Sequence, residues 1–439
     1  MKSIMISAPS SGSGKTTITL GIVRALKKRG LNVCCYKTGP DYIDKKFLEL
    51  ASGLDAGNLD IHLMGMDGIE DSFSMGKGEI AVVEGAMGYF DGIYNTFENS
   101  SYDISRKLKI NTILVYTPKG EMFSAIPKIK GMVDFKYSNI VGVILNKVRK
   151  DIYVLMKEQI EKYIGIKVLG FVEEDKELEI KSRHLGLVQG EEIENIDELI
   201  ERASVQIENN VNLDSLIDSM SEVVTKEYTY PAKRDVVVGI AYDRAFSFYY
   251  RENLNLFENT TNVVYFSPMK DKQIPKCDLL YLGGGYPEVF SEFLSKNTEM
   301  RKSIKRFAEN GGHIYAECGG FMYLMSAIED HEMCGVFNGT SKMTDKLQRF
   351  GYIDIELMKD CILGEKGDIL TGHEFHKSMT QIDGEEIYSI TKPMSDKRWN
   401  CGYMYKNVLA GYPHINFLGN MKAFLNLLDI VEKEKSKCM

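Results

Sequence analysis

Short apolar runs alternate with longer amphipathic stretches from the first residues onward. Residues 3–8, 32–37, 80–83, 112–116 and 140–145 are apolar runs bounded by Gly, Pro or Asn, and helix-like segments such as residues 16–29 lie between them. Strands that are apolar on both faces belong to a parallel sheet covered by helices, so this alternation predicts βαβ units and an α/β fold. A second series begins at Val236-Val237-Val238-Gly239-Ile240 and continues through residues 263–266, 279–282 and 313–316, which predicts a second sheet. Between the two series, residues 191–227 are rich in Glu, Asn and Asp and read as helical. The polar segment Tyr228-Thr229-Tyr230-Pro231-Ala232-Lys233-Arg234 then reads as a linker. The expected organisation is two domains, residues 1–227 and 235–439, joined by residues 228–234, and a length of 439 residues suits it.

Composition narrows the function classes. Apolar residues at 44% and charged residues at 26% are those of an ordinary folded protein. The net charge of −8 comes without a strongly basic block, so no nucleic-acid partner is expected. No window approaches the ~18 uninterrupted apolar residues of a membrane helix. The first residues run into a Gly/Ser loop rather than a signal-peptide apolar region, so the chain is expected in the cytoplasm, away from membranes. Eight cysteines include no Cys-x-x-Cys pair, which argues against a disulfide framework and a clustered zinc site.

The clearest local signal is Ser10-Ser11-Gly12-Ser13-Gly14-Lys15-Thr16-Thr17, directly after a predicted strand and before a predicted helix. Backbone N–H groups of such a loop converge on phosphate oxygens. The Lys15 ammonium reaches the β/γ-phosphates, and Thr16 offers a hydroxyl to Mg²⁺. Pro9 stands where the usual phosphate-loop pattern begins with Gly. Phosphoryl chemistry also needs acids, and two clusters follow predicted strands: Lys37-Thr38-Gly39-Pro40-Asp41-Tyr42-Ile43-Asp44, and residues 84–92, which hold Glu84, Gly88 and Asp91. Residues just past strand carboxyl ends line the ligand crevice of a parallel sheet, so Asp41 and Glu84 are expected to face Lys15, with Asp44 equally suited to capping a helix. Asn146 and Lys147 follow the run at 140–145 and suit purine recognition. Arg149 stands where a guanine reader would carry Asp, which favours adenine.

In the second half, Ala316-Glu317-Cys318-Gly319-Gly320 places a cysteine at a strand-to-helix junction. A sharp turn there exposes the side chain, and the helix N-terminus is expected to lower the thiol pKa. Upstream, Leu282-Gly283-Gly284-Gly285 supplies bare N–H groups that could join that of Gly319 around an oxyanion. His414 is the expected base, with His373 and His376 as competitors. The latter two flank Glu374 in a metal-like spacing that lacks a third ligand.

These motifs, with Asn58-Leu59-Asp60, Arg183-His184-Leu185-Gly186-Leu187, Ala245-Phe246, Phe248-Tyr249-Tyr250, residues 282–288 and 316–323, Arg349-Phe350-Gly351-Tyr352 and residues 372–376, occur in one order along nearly the whole chain. In that respect the chain resembles the cobyrinic acid a,c-diamide synthases of corrinoid biosynthesis. The resemblance implies a dethiobiotin-synthetase-like phosphate-loop domain followed by a class I glutamine amidotransferase-like, flavodoxin-like domain. It implies a carbon–nitrogen ligase that uses ATP, Mg²⁺ and L-glutamine to amidate the c and then the a acetate side chain of cobyrinic acid. By motif match, Cys318 is the nucleophile, His414 its base, and Gly284, Gly285 and Gly319 the oxyanion donors. Ser11, Gly12, Ser13, Gly14, Lys15, Thr16, Thr17, Lys37 and Asn146 fall to ATP; Thr16, Asp41 and Glu84 to the metal; Asp41, Tyr42, Asp44 and Asp91 to the macrocycle. Asn416 stands two residues past His414, where the family usually has a second histidine and ordinary class I amidotransferases a glutamate, so what orients His414 is open. Amidation of another tetrapyrrole such as nickel-sirohydrochlorin would use the same sites. A partitioning-type ATPase with a degenerate second domain would expect Lys at position 10, which is Ser10. Whether the chain forms a homodimer is left open by the sequence.

Overall fold

The computed structural model describes residues 1–178, 190–224 and 226–438, apart from the side chains of 190–195 and 438; the segment Arg183-His184-Leu185-Gly186-Leu187 lies outside the described residues. The chain forms two compact units, Met1–Ile61 with Met66–Tyr228, and His62–Gly65 with Thr229–Met439. Among the described residues no helix is long and apolar enough to cross a membrane.

In the first unit the apolar runs form β1 (Lys2–Ser7), β2 (Val33–Thr38), β3 (Ala56–Leu59), β4 (Ile80–Glu84), β5 (Asn111–Tyr116), β6 (Ile140–Asn146) and β7 (Lys167–Val172). They pair in parallel in the order β3-β2-β4-β1-β5-β6-β7, and a short β8 (Ser221–Glu222) adds antiparallel to β1. Ile4, Ile6, Val82, Ile113, Val115 and Ile144 are buried under the helix α1 (Lys15–Lys28), whose Leu20, Ile22 and Val23 reach the same core. The acidic segment has a packing role here. Ile200, Ala203 and Ile207 of helix Gly190–Asn210 enter that core, and a Cβ on Gly21 of α1 would lie 3.0 Å from the Ala203 backbone. Its charges stay outside, where Asp197 and Glu201 pair with Arg24 at 2.6 and 3.2 Å.

The second unit has, in chain order, β9 (Val237–Ala241), β10 (Phe246–Phe248), β11 (Asn262–Phe266), β12 (Leu279–Leu282), β13 (Gly284–Gly285), β14 (His313–Glu317), β15 (Ala327–Ile328), β16 (His331–Glu332), β17 (Gly339–Met343), β18 (Arg349–Leu357), β19 (Ile369–His376), β20 (Ser378–Ile382), β21 (Glu386–Thr391), β22 (Arg398–Tyr405), β23 (Val408–Gly411) and β24 (His414–Ile415). Its main sheet runs β11-β9-β12-β14-β23-β22-β21-β18-β19-β24. The first five strands of that order are parallel and the rest antiparallel. The antiparallel half, which the apolar runs do not announce, returns β24 beside β19 and sets His414 opposite His373.

Candidate functional site

The first unit carries a polar cluster at the carboxyl edge of its sheet. The loop between β1 and α1 needs glycine at 12 and 14: both have left-handed φ, 73° and 81°, and a Cβ on Gly14 would lie 2.3 Å from Nδ2 of Asn146. Ser11 and Gly12 are exposed at its tip, while Ser13 and Lys15 are buried. Ser13 Oγ donates to the Ser10 carbonyl at 2.9 Å, and Thr17 Oγ1 donates to the Leu178 carbonyl at 3.1 Å. Asn146 Nδ2 donates to the Ser13 carbonyl at 3.0 Å and to Thr117 Oγ1 at 3.3 Å, so its amide braces the loop.

Register pairing sets Lys37 beside Glu84. Glu84 Oε1 accepts from Thr16 Oγ1 at 2.6 Å and from Lys37 Nζ at 2.8 Å, and Lys37 also reaches Asp44 Oδ2 at 3.0 Å. Burial opposes the Lys37 charge, but Glu84 and Asp44 outweigh it and hold its pKa above the usual lysine range. Lys15 Nζ donates to the Met87 and Ser10 carbonyls. Burial, then the like charge of Lys37, lowers its pKa to about 8 against the pull of Glu84, Asp91 and Asp44.

Glu84 is wholly buried and its Oε2 has no hydrogen-bond partner, which fits an oxygen ligand for a divalent cation beside Thr16. Asp41 and Asp91 hold local backbone. Asp41 Oδ1 accepts from the N–H groups of Ile43 at 2.9 Å and Asp44 at 2.8 Å, capping the helix α2 (Ile43–Ser52). Desolvation and the neighbouring Asp44 push its pKa up to about 6. Asp91 Oδ2 accepts from Gly88 N–H at 2.9 Å. Tyr42 is buried directly before α2.

The second unit builds its site around one turn. Cys318 has φ 43° and ψ −99°, a conformation costly for a non-glycine residue, and its N–H donates to the Gly411 carbonyl at 2.7 Å. The glycines after it permit close packing. A Cβ on Gly320 would lie 2.1 Å from the Leu282 carbonyl oxygen, and one on Gly319 would lie 3.0 Å from the Gly285 nitrogen. Gly284 packs under the imidazole of His414, since a Cβ there would lie 2.4 Å from Cε1. Gly284, Gly285, Gly319 and His414 are therefore brought together.

The competing histidines are engaged elsewhere. His373 stacks on His414 with ring centroids 5.0 Å apart, and its Nδ1 bonds with the Tyr250 hydroxyl at 2.9 Å. Burial and then His414 keep the His373 pKa well below its usual value, so it is neutral. His376 donates from Nδ1 to the Ser378 carbonyl at 2.9 Å, and its ring lies on Tyr412. Asn416 turns its Oδ1 to the N–H of Leu418 at 2.9 Å.

Two expectations are corrected. The Cys318 side chain is buried rather than exposed by the turn. Nor is its thiol pKa lowered by the helix end: burial first, then the charges of Glu288, Glu374 and Glu317, push it well above its ordinary value. The helix that follows is only six residues long, too short to outweigh three carboxylates and desolvation. The motif reading also passed over two carboxylates. Glu288 is itself pushed up to about 7 by burial. Glu317 is buried and lies with Oε2 3.5 Å from His414 Nδ1. An acid as the last residue of a buried strand was the available signal.

Residues 4–188 match the CobQ/CobB/MinD/ParA nucleotide binding domain, and residues 237–422 match the CobB/CobQ-like glutamine amidotransferase domain. The chain is similar to the cobyrinate a,c-diamide synthase of Clostridium tetani, with 44% identity covering 98% of this chain and 100% of that protein. The protein of the same name from Clostridium acetobutylicum is 44% identical over the same shares. That from Listeria monocytogenes serotype 4b is 40% identical over 99% of this chain and 100% of its own length.

Proposed function

This chain belongs to the cobyrinate a,c-diamide synthase family, and we propose that it is a carbon–nitrogen ligase amidating the a and c acetate side chains of cobyrinic acid with ATP and glutamine, in the cytoplasm. The observation that carries this reading is the pair of dissimilar sites. Lys15, Thr16 and Glu84 lie around a phosphate loop in one unit, and Cys318 and His414 lie around a glycine-lined turn in the other.

At the first site a substrate carboxylate oxygen attacks the γ-phosphorus of ATP and ADP leaves, giving an acyl phosphate. Ammonia then attacks the acyl carbon and phosphate leaves, so each amide consumes one ATP. The Lys15 ammonium and the loop N–H groups offset the charge on the transferring phosphoryl group. Thr16 and Glu84 would hold Mg²⁺, which when bound supplies further charge neutralisation at the phosphates. Asp44, Tyr42 and Asp91 are the groups assigned to the macrocycle, and Asp41 is assigned to metal or macrocycle.

At the second site the thiol proton of Cys318 passes to His414 as sulfur attacks the glutamine carboxamide carbon. The raised thiol pKa makes that base necessary, because little thiolate exists beforehand. The N–H groups of Gly319 and of Gly284 or Gly285 are the donors assigned to the developing oxyanion. The protonated nitrogen leaves as ammonia, and water releases glutamate from the thioester.

The test is mass spectrometry of cobyrinic acid incubated with protein, Mg-ATP and glutamine, which should gain two amides. Nickel-sirohydrochlorin amidated in its place would reassign the substrate. Cys318→Ala and His414→Ala should lose glutamine-driven amidation yet keep it with high ammonium, whereas His376→Ala should keep both.

A further inference from the structure

We infer that Glu317, the residue directly before the nucleophile, is the positioning carboxylate of His414, a role that rests on the amidotransferase reading above. A histidine that takes a thiol proton at Nε2 must carry its own proton at Nδ1, and an acceptor facing Nδ1 fixes that tautomer. Glu317 Oε2 lies 3.5 Å from His414 Nδ1, with both side chains about 98% buried. Such contacts are commonly long before substrate binds and tighten as the imidazolium forms.

The carboxylate is itself fixed. Oε1 accepts from the Tyr315 hydroxyl at 2.7 Å and from the backbone N–H of Ile415 at 3.2 Å, and Oε2 accepts from the Tyr281 hydroxyl at 3.2 Å. Ile415 follows His414, so one carboxylate grips the backbone of the β24 segment and faces its imidazole. Other neighbours are committed elsewhere: Asn416 Oδ1 to Leu418 N–H, and His373 Nδ1 to the Tyr250 hydroxyl. The arrangement puts nucleophile and orienting acid next to each other in sequence. Strand β14 ends on the acid, and the turn that follows carries the thiol.

The test compares wild type, Glu317→Gln and Glu317→Asp in three readouts: glutamate release from glutamine, amidation with ammonium, and the pH profile of glutamate release. Glu317→Gln removes the negative charge that faces the His414 ring and would offset the positive charge the ring gains on taking the thiol proton. In Glu317→Gln the acidic limb of the profile should therefore move to lower pH. kcat for glutamate release should fall about 100-fold, the scale of a general base acting from the wrong tautomer or without its charge partner. KM for glutamine should stay within about 3-fold, and amidation with ammonium should be unchanged. Glu317→Asp, which keeps the charge, should retain the acidic limb at its wild-type position with an intermediate rate. A parallel loss of ammonium-driven amidation, or an acidic limb unmoved in Glu317→Gln, would make Glu317 a purely structural residue and overturn the assignment. Because glutamate release is read without a macrocycle, the outcome is separate from whether cobyrinic acid is the amidated substrate.

Discussion

Thr16 Oγ1 and Lys37 Nζ meet on a single oxygen of Glu84, at 2.6 and 2.8 Å, while the other oxygen of that buried carboxylate has no hydrogen-bond partner. A hydroxyl from the phosphate loop and an ammonium from the adjacent strand are thus tied to one acid, and its second oxygen is the one we propose for Mg²⁺. Glu84→Gln removes the charge and keeps the shape. Amidation should fall about 100-fold with either nitrogen source, the scale of losing a charge-stabilising group from phosphoryl transfer, while glutamate release from glutamine is unaffected. Lys37 keeps its ion pair with Asp44 but loses that with Glu84, so the first unit should also lose about 1–3 kcal/mol, a part of the cost of breaking a buried ion pair. ADP release and thermal melts read the two effects, and normal ADP release would remove Glu84 from the nucleotide site.

Lys15 gives a pH prediction with a definite sign. Its pKa is depressed to about 8, so the ammonium that meets the phosphates is progressively lost above that pH. The phosphate groups of ATP, with a second ionisation near ~6, have already titrated. ATP affinity measured by calorimetry should therefore be flat from pH 7 to about 8 and weaken toward tenfold per pH unit above it. Lys15→Ala should bind weakly throughout, show no such slope and support no amidation even with high ammonium. A wild-type affinity unchanged up to pH 9.5 would mean that Lys15 does not meet the phosphates.

The α/β class of both units was legible because parallel strands buried on both faces are unbroken apolar runs: residues 4–6 and 80–83 are buried throughout, as are 279–282. The antiparallel half of the second sheet was not legible from such runs. In β18 only Ile353, Ile355 and Leu357 are buried, alternating with exposed or half-exposed residues, so the strand has no continuous apolar stretch. The glycines of the two loops were visible as letters, but their purpose was not. Gly14 faces Asn146 and Gly284 faces His414, each across more than a hundred residues of chain. Distance along the chain also hid Glu317, whose partners at 281, 414 and 415 are gathered only by the pairing of β12 with β14 and the return of β24. The low-pKa thiol failed for a related reason, since Glu288 and Glu374 approach Cys318 from other strands and loops.

That raised thiol has a direct chemical signature. Alkylation by iodoacetamide requires thiolate, so Cys318 in the free protein should react at least about 10-fold more slowly at pH 8 than an unperturbed thiol, as read by mass spectrometry of the Cys318 peptide. Glu288→Gln removes the carboxylate that most strongly opposes the thiolate and should speed the reaction, with the larger desolvation effect still in place. Rapid alkylation of wild-type Cys318 at pH 7 would show instead that the turn stabilises thiolate and that His414 need not act first.

Gly284 offers a separation of the two half-reactions by a single methyl group. A Cβ at this position would lie 2.4 Å from Cε1 of His414 and 3.3 Å from both ring nitrogens. The first distance is well inside van der Waals contact, so the ring must move. His414 is hemmed by the stacked His373 on one face and by Glu317 at Nδ1. A ring displaced by this contact is expected to carry Nε2 out of line with the thiol. A misplacement of about 1 Å in a catalytic group can cost ~100-fold. Gly284→Ala should therefore lose glutamate release on that scale while amidation with ammonium stays near the wild-type rate. The melting temperature should drop only modestly, because overpacking of this kind costs about 1–3 kcal/mol. Gly335→Ala serves as the control: its added Cβ would lie no closer than 3.6 Å to Lys305 Nζ, and its φ of 63° imposes backbone strain without touching His414. Equal loss of glutamate release in both variants would attribute the effect to general destabilisation rather than to the imidazole. Near-normal glutamate release in Gly284→Ala would mean that the ring position against this strand does not govern the base.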